Sequence, residues 1–125
     1  MRLVLHPKVY SDIDEIMGYY ERVATPGLAE EFYTELRYFM TKAADKPESF
    51  SIRERDIRRA NLRRFPYHFL FRVVGHEVRI LVVRHHHRHP SFGSGRRYGY
   101  GRAGRVSPGM ALSILERPLR VNTGD

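Results

Sequence analysis

The chain has no cysteine, no tryptophan and only three lysines (Lys8, Lys42, Lys46) in 125 residues. Without cysteine there can be no disulfide, no thiolate metal site and no cysteine nucleophile. No apolar run approaches the ~20 residues of a membrane-spanning helix. The opening segment Met1–Pro7 is too short for a signal-peptide core. These absences predict a soluble, cytoplasmic protein that does not contact a membrane. What is present is a 42% hydrophobic chain of single-domain length, enough for one folded core.

The net charge is +8, and its placement is informative. Residues 1–50 carry 6 basic and 9 acidic groups, residues 51–105 carry 14 and 3, and residues 106–125 carry 2 and 2. Nearly all the cations are arginines, whose planar fork binds carboxylates and phosphates through paired hydrogen bonds. A one-sided, arginine-rich charge suits a phosphate backbone or an acidic protein. Composition does not choose between them.

Periodicity divides the chain. Residues 2–6 read as a first strand. Val9, Ile13, Ile16, Met17 and Tyr20 then recur at helical spacing, which predicts a helix over roughly 8–23. Thr25-Pro26 signals a second start, and Leu28, Phe32, Leu36, Phe39 and Ala43 continue the helix to about 44. The short link makes the two an antiparallel hairpin. After a loop at 46–53 the period falls to two, through Ile57–Arg64, then His68–Val73, a turn at Gly75-His76-Glu77, and a last strand over 78–85. The expected fold is α+β in the order β-α-α-β-β-β, with the helical hairpin on one face of a small, mainly antiparallel sheet. Residues 93–105 hold five Gly and four Arg and read as a flexible linker. A short helix is expected over 107–117. The compact domain is expected over 1–92, with 93–125 as its tail.

If Phe69, Phe71 and Val73 face the helices, His68 and Arg72 face away, as do Arg59, Asn61 and Arg63. The open face then collects Arg59, Arg63, His68, Arg72 and, on an ambiguous last strand, His85. An antiparallel sheet with one wet face needs polar residues there in any case, but this set is almost wholly cationic. The run Arg84-His85-His86-His87-Arg88-His89-Pro90 supports three readings. His85, His87 and His89 would alternate onto one side as metal ligands, yet no cysteine or carboxylate lies nearby to complete a tetrahedral site. A histidine with Arg88 could perform acid–base chemistry on a phosphate. The bland alternative is a polar strand end. Among the tyrosines, two helices on a small sheet cannot bury all of Tyr10, Tyr19, Tyr33 and Tyr38; the exposed ones are either an aromatic protein-binding patch or ordinary surface tyrosines.

Several segments together resemble the RelE/ParE superfamily of type II toxin–antitoxin toxins. They are Ser11–Ile16 with Tyr19-Tyr20, Leu28-Ala29 with Phe32, Leu62–Val73 with its Arg-Phe-Pro-Tyr turn, and Ile80–Val83 followed by His85, His87-Arg88 and Pro90. They span residues 2–92, and the Arg-Phe-Pro-Tyr and His-Arg-x-Pro signatures look more like the ParE side. The resemblance implies the fold derived above and a plasmid-stabilisation role, as a growth inhibitor neutralised by a cognate antitoxin. ParE-like members poison DNA gyrase. RelE-like members are ribosome-dependent endonucleases that cut mRNA. A stand-alone nucleic-acid-binding domain of the same fold is a third reading.

No cofactor or metal is implied. The RelE-type catalytic set would fall on Arg59, Asn61, His68 and Arg88, with His86 or His87 as a stand-in acid–base group. Its late tyrosine would fall near Phe92, which has no phenol. Under the ParE reading the antitoxin or target would engage Arg63, Arg72, Tyr19, Tyr33 and His85.

Overall fold

A computed structural model describes residues 1–97. The order is β1 (Arg2–Leu5), α1 (Pro7–Val23), α2 (Pro26–Asp45), a 3-10 turn at Pro47–Ser49, β2 (Ile52–Glu54), β3 (Ile57–Asn61), β4 (Tyr67–Val74) and β5 (Glu77–His85). The α+β reading therefore holds, with one strand more than the periodicity suggested. That strand, β2, is three residues long and fully exposed, so it leaves no alternation to read. The expected helix at 107–117 lies outside the described residues.

Each helix begins where the chain chemistry directs. Pro7 and Pro26 occupy first-turn positions, where a missing N–H is harmless. His6 caps α1, its Nδ1 accepting the Lys8 N–H at 3.1 Å. The five strands run β1-β5-β4-β3-β2. All neighbours are antiparallel except β1, which returns parallel to β5 along the far edge. Gly75 adopts φ +61 in the two-residue β4–β5 turn, a conformation glycine takes without steric cost.

The main core lies between the helices and the sheet and includes Ile13, Phe32, Leu36, Phe69, Phe71 and Ile80. A smaller cluster of Ile57, Leu70, Leu81 and Val82 occupies the other face, with Phe92 packed against it. Between them lies a one-residue bulge. Leu70 pairs with Val82 but Phe71 pairs with Ile80, leaving Leu81 as the extra residue of β5. A slip of one residue exchanges the faces of a strand. Val78 and Ile80 before the bulge and Val83 after it all join the helix-side core, while Leu81 and Val82 both face outward.

The segment after β5 is also packed. Phe92 lies on the outer cluster, and a Cβ at Gly93, whose φ is +79, would stand 2.4 Å from Val82 Cγ2. Arg96 places Nη1 2.7 Å from Asp12 Oδ2 and Nη2 3.2 Å from Oδ1. The reason lies at the sheet edge. β1 pairs with β5 only as far as Ile80. Beyond it, the Val83 N–H donates to Asp12 Oδ2 at 3.0 Å, and the Leu81 carbonyl accepts from Arg96 at 3.2 Å. Buried edge groups must find partners, and this ion pair supplies them where the strand stops. Gly93 and Arg96 are thus held against the sheet.

Candidate functional site

The bulge decides which side chains meet on the open face. Arg59 and Asn61 lie there on β3 and His68 on β4, as the alternation predicts. The flipped end of β5 adds Arg84, and the turn after it folds His86 back over His68. The His68 and His86 rings lie edge to edge and nearly parallel, their centroids 5.2 Å apart and their planes 11° apart.

These side chains form one chain of hydrogen bonds. Arg84 Nε donates to His68 Nε2 at 2.8 Å. That leaves the neutral His68 ring with its proton on Nδ1, which lies 3.0 Å from His86 Nδ1. His86 therefore accepts at Nδ1 and carries its own proton on Nε2. Arg59 Nη2 also approaches His86 Nδ1, at 3.4 Å, while its Nε donates to Asn61 Oδ1 at 2.8 Å. His68 is only 1% exposed. Burial first, then the charges of Arg59 and Arg84, push its pKa down to about 3. The same desolvation lowers His86, with help from Arg59. His68 is consequently a neutral structural link at neutral pH.

The remaining expected residues separate from this cluster. Arg72 shares the open face but is held at its far end, with Nε 3.1 Å from both carboxylate oxygens of Asp56. Arg63 lies beyond the end of β3, on the α2 side. Its N–H and that of Arg64 both donate to Glu35. There it helps line a groove of about 680 Å³ beside Glu31, Glu35, Phe39 and Tyr38, a residue 57% exposed.

His85 points to the helix side, its ring 5.1 Å from that of Tyr67. It shares a cleft of about 160 Å³ with Glu15, Tyr19 and Arg88. The Arg88 guanidinium sits 3.8 Å above the Phe92 ring, and His87 is exposed. Tyr33 is 1% exposed, a core residue of α2 and no part of any surface patch.

The histidine run thus goes three ways: His85 toward the helices, His86 toward the open face, His87 into solvent. Among the described residues no group of three His, Asp or Glu could hold a metal ion. Nor is any described helix long and apolar enough to cross a membrane. Sequence reasoning missed Arg84, Asp12 and Arg96, and named His86 only as an alternative to His87. Asp12 carried a signal, since it stands three residues after Val9 and four before Ile16, at helical spacing from both. Arg84 carried none, because a bulge leaves no trace in a period of two.

The same architecture occurs in known proteins. A solved structure described as the chromosomal ParDE toxin–antitoxin system from P. aeruginosa aligns with a TM-score of 0.61 and 24% sequence identity, over 68% of this chain and 95% of that one. At that identity the similarity is one of fold. No curated protein matches the chain in sequence. A family model described as the ParE toxin of the type II toxin–antitoxin system parDE matches residues 3–90, from the first strand through the turn that follows β5. The chain belongs to the ParE toxin family of type II toxin–antitoxin systems.

Proposed function

We propose that the chain inhibits growth by binding DNA gyrase in the cytoplasm, as part of a plasmid-stabilisation system, and that a cognate antitoxin neutralises it. Family membership supports the toxin role. The observation that carries the choice of target is the state of His68. The endonuclease reading needs Arg59, Asn61, His68, His87 and Arg88 around one scissile phosphate, with a proton-transfer group within hydrogen-bond reach. Here His68 is sealed between Arg84 and His86 with both ring nitrogens engaged, which leaves neither for a phosphate, and His87 is turned into solvent. Arg88 lies instead in the cleft with Tyr19 and His85. An inhibitor that works by occupying a protein surface needs no such convergence.

The groove along α2 suits the antitoxin. It combines the exposed Tyr38 ring with Arg63 and Arg64, an aromatic anchor beside cations. The second reading, a ribosome-dependent mRNA endonuclease, has one observation in its favour: the partly exposed His86 beside Arg59.

One pair of assays separates the two. Purified chain should block gyrase supercoiling and trap gyrase–DNA breaks, and should leave mRNA intact in a translating extract. Cleaved mRNA with unimpaired supercoiling would reverse the choice.

A further inference from the structure

Arg84 is a buried cation with no salt-bridge partner among the described residues. Its residue is 8% exposed, and its hydrogen bonds all go to neutral acceptors. Nε donates to His68, and Nη1 donates to the carbonyls of Pro90 at 2.6 Å and Phe92 at 2.8 Å. No carboxylate forms a salt bridge with it among the described residues. A desolvated charge in that position is strongly disfavoured unless an opposite charge reaches it. Burial and the like charge of Arg59 both weaken the hold of Arg84 on its proton, and Glu54 offsets this only in part.

The missing charge has a place to sit. Arg84 forms one wall of a cleft of about 180 Å³ whose rim carries Arg53, Arg59, Ser94 and Glu54. Its floor includes Ile57 and Leu70 of the outer cluster. The segment after β5 closes the cleft, and the docking of Arg96 on Asp12 holds that segment in place. The guanidinium of Arg84 is fixed by three hydrogen bonds, and its Nη2 has no protein partner among the described residues.

We propose that this cleft is a phosphate-binding site, in which Arg84 anchors the phosphoryl oxygens from below and Arg59 and Arg53 close on them from the strands. Three arginines carried on three different strands line the cleft, and such a set suits a tetrahedral, multiply charged ion. A planar carboxylate is satisfied by a single arginine fork. The volume is below the ~300–1,000 Å³ of drug-sized sites, which suits one phosphoryl group rather than a whole nucleotide. That group is either a free phosphate or one phosphate of a nucleic-acid strand. Among the described residues Glu54 is the one acidic residue of the lining, and it competes with the ligand for the cations. The site rests on this geometry and not on gyrase as the target.

The test uses the full chain at pH 7 and constant ionic strength. Inorganic phosphate, a single-stranded DNA 10-mer, chloride and glutarate are compared by thermal unfolding and by titration calorimetry. Phosphate should raise the melting temperature above its value in chloride or glutarate. Arg53→Gln with Arg59→Gln should weaken phosphate binding by about 10-fold or more, the loss expected for charge-assisted hydrogen bonds. Glu54→Gln should tighten it. Both changes lie on the rim and spare the buried Arg84, so folding is preserved. If the 10-mer is weakened in parallel by the rim substitutions, the source is a nucleic-acid backbone. If phosphate binds and the 10-mer does not, it is a free phosphate. The proposal is overturned if phosphate does no more than chloride, if glutarate matches it, or if the rim substitutions leave phosphate binding unchanged.

Discussion

Replacing Arg96 with methionine tests whether the segment after β5 belongs to the folded unit. The Asp12 side chain is 6% exposed and that of Arg96 12%, with a shortest contact of 2.7 Å. Methionine keeps most of the buried hydrocarbon and removes the charge. Removing one partner of a buried pair strands the other, at a cost of ~3–5 kcal/mol. Asp12 retains the Val83 N–H, which places the expected loss at the lower end, about 3 kcal/mol. For a folded unit near 100 residues this lowers the melting temperature by roughly 12–20 °C. The second arm is Asp12→Asn, which keeps an acceptor for Val83 but carries no charge. Combining the two should be much less harmful than their sum, with a coupling of about 2 kcal/mol, because the double variant leaves no unpaired buried charge. Urea unfolding of the four proteins measures this directly. An Arg96→Met cost within ~0.5 kcal/mol, the range of ordinary surface substitutions, would refute the reasoning. So would strict additivity of the two changes.

Acid should destabilise the fold through His68. The unfolded chain takes up a proton near pH 6.5 that the folded chain refuses until about 3, so this stability is complete above about 6.5 and is lost as pH falls toward 3. Lowering pH from 7 to 5 should cost about 1–2 kcal/mol in urea unfolding, with His86 adding in the same direction. His68→Gln should remove most of that difference, and an unchanged pH dependence in this variant would assign it to other groups. Gly93→Ala should lose about 2–3 kcal/mol by denaturant midpoint, since the new methyl group meets Val82 at 2.4 Å in a left-handed backbone; a neutral result would show that the segment lifts off at no cost. Arg63→Glu should weaken antitoxin binding at least tenfold by calorimetry, through like-charge repulsion in the α2 groove, and equal affinity would move the interface elsewhere. His87→Ala should leave most growth inhibition intact and Arg88→Ala should reduce it, as colony counts after induction would show. Loss of all toxicity in a folded His87→Ala protein would favour the nuclease.

Local patterning determined the two helices and the strands with buried alternation. Pro7, Pro26, the stripe from Val9 to Tyr20 and the alternation around Phe69 and Phe71 act over a few residues, so they are legible without a structure. The strand β2 was not, because three exposed residues carry no period. The site was legible only in part. Arg59, Asn61 and His68 follow from strand parity, but the extra residue Leu81 reverses that parity halfway along β5. It sends Arg84 to the open face and His85 to the helix side. The place of Asp12 and Arg96 depends on where β1 stops pairing, and the two residues are 84 positions apart in the chain. Tyr33 was misplaced because sequence shows that some tyrosines must be exposed without showing which helix face lies against the sheet. Periodicity reports the surroundings of a residue averaged over a turn or a strand. Only the tertiary structure decides the single-residue slips and distant pairings that bring Arg84, His68 and His86 together.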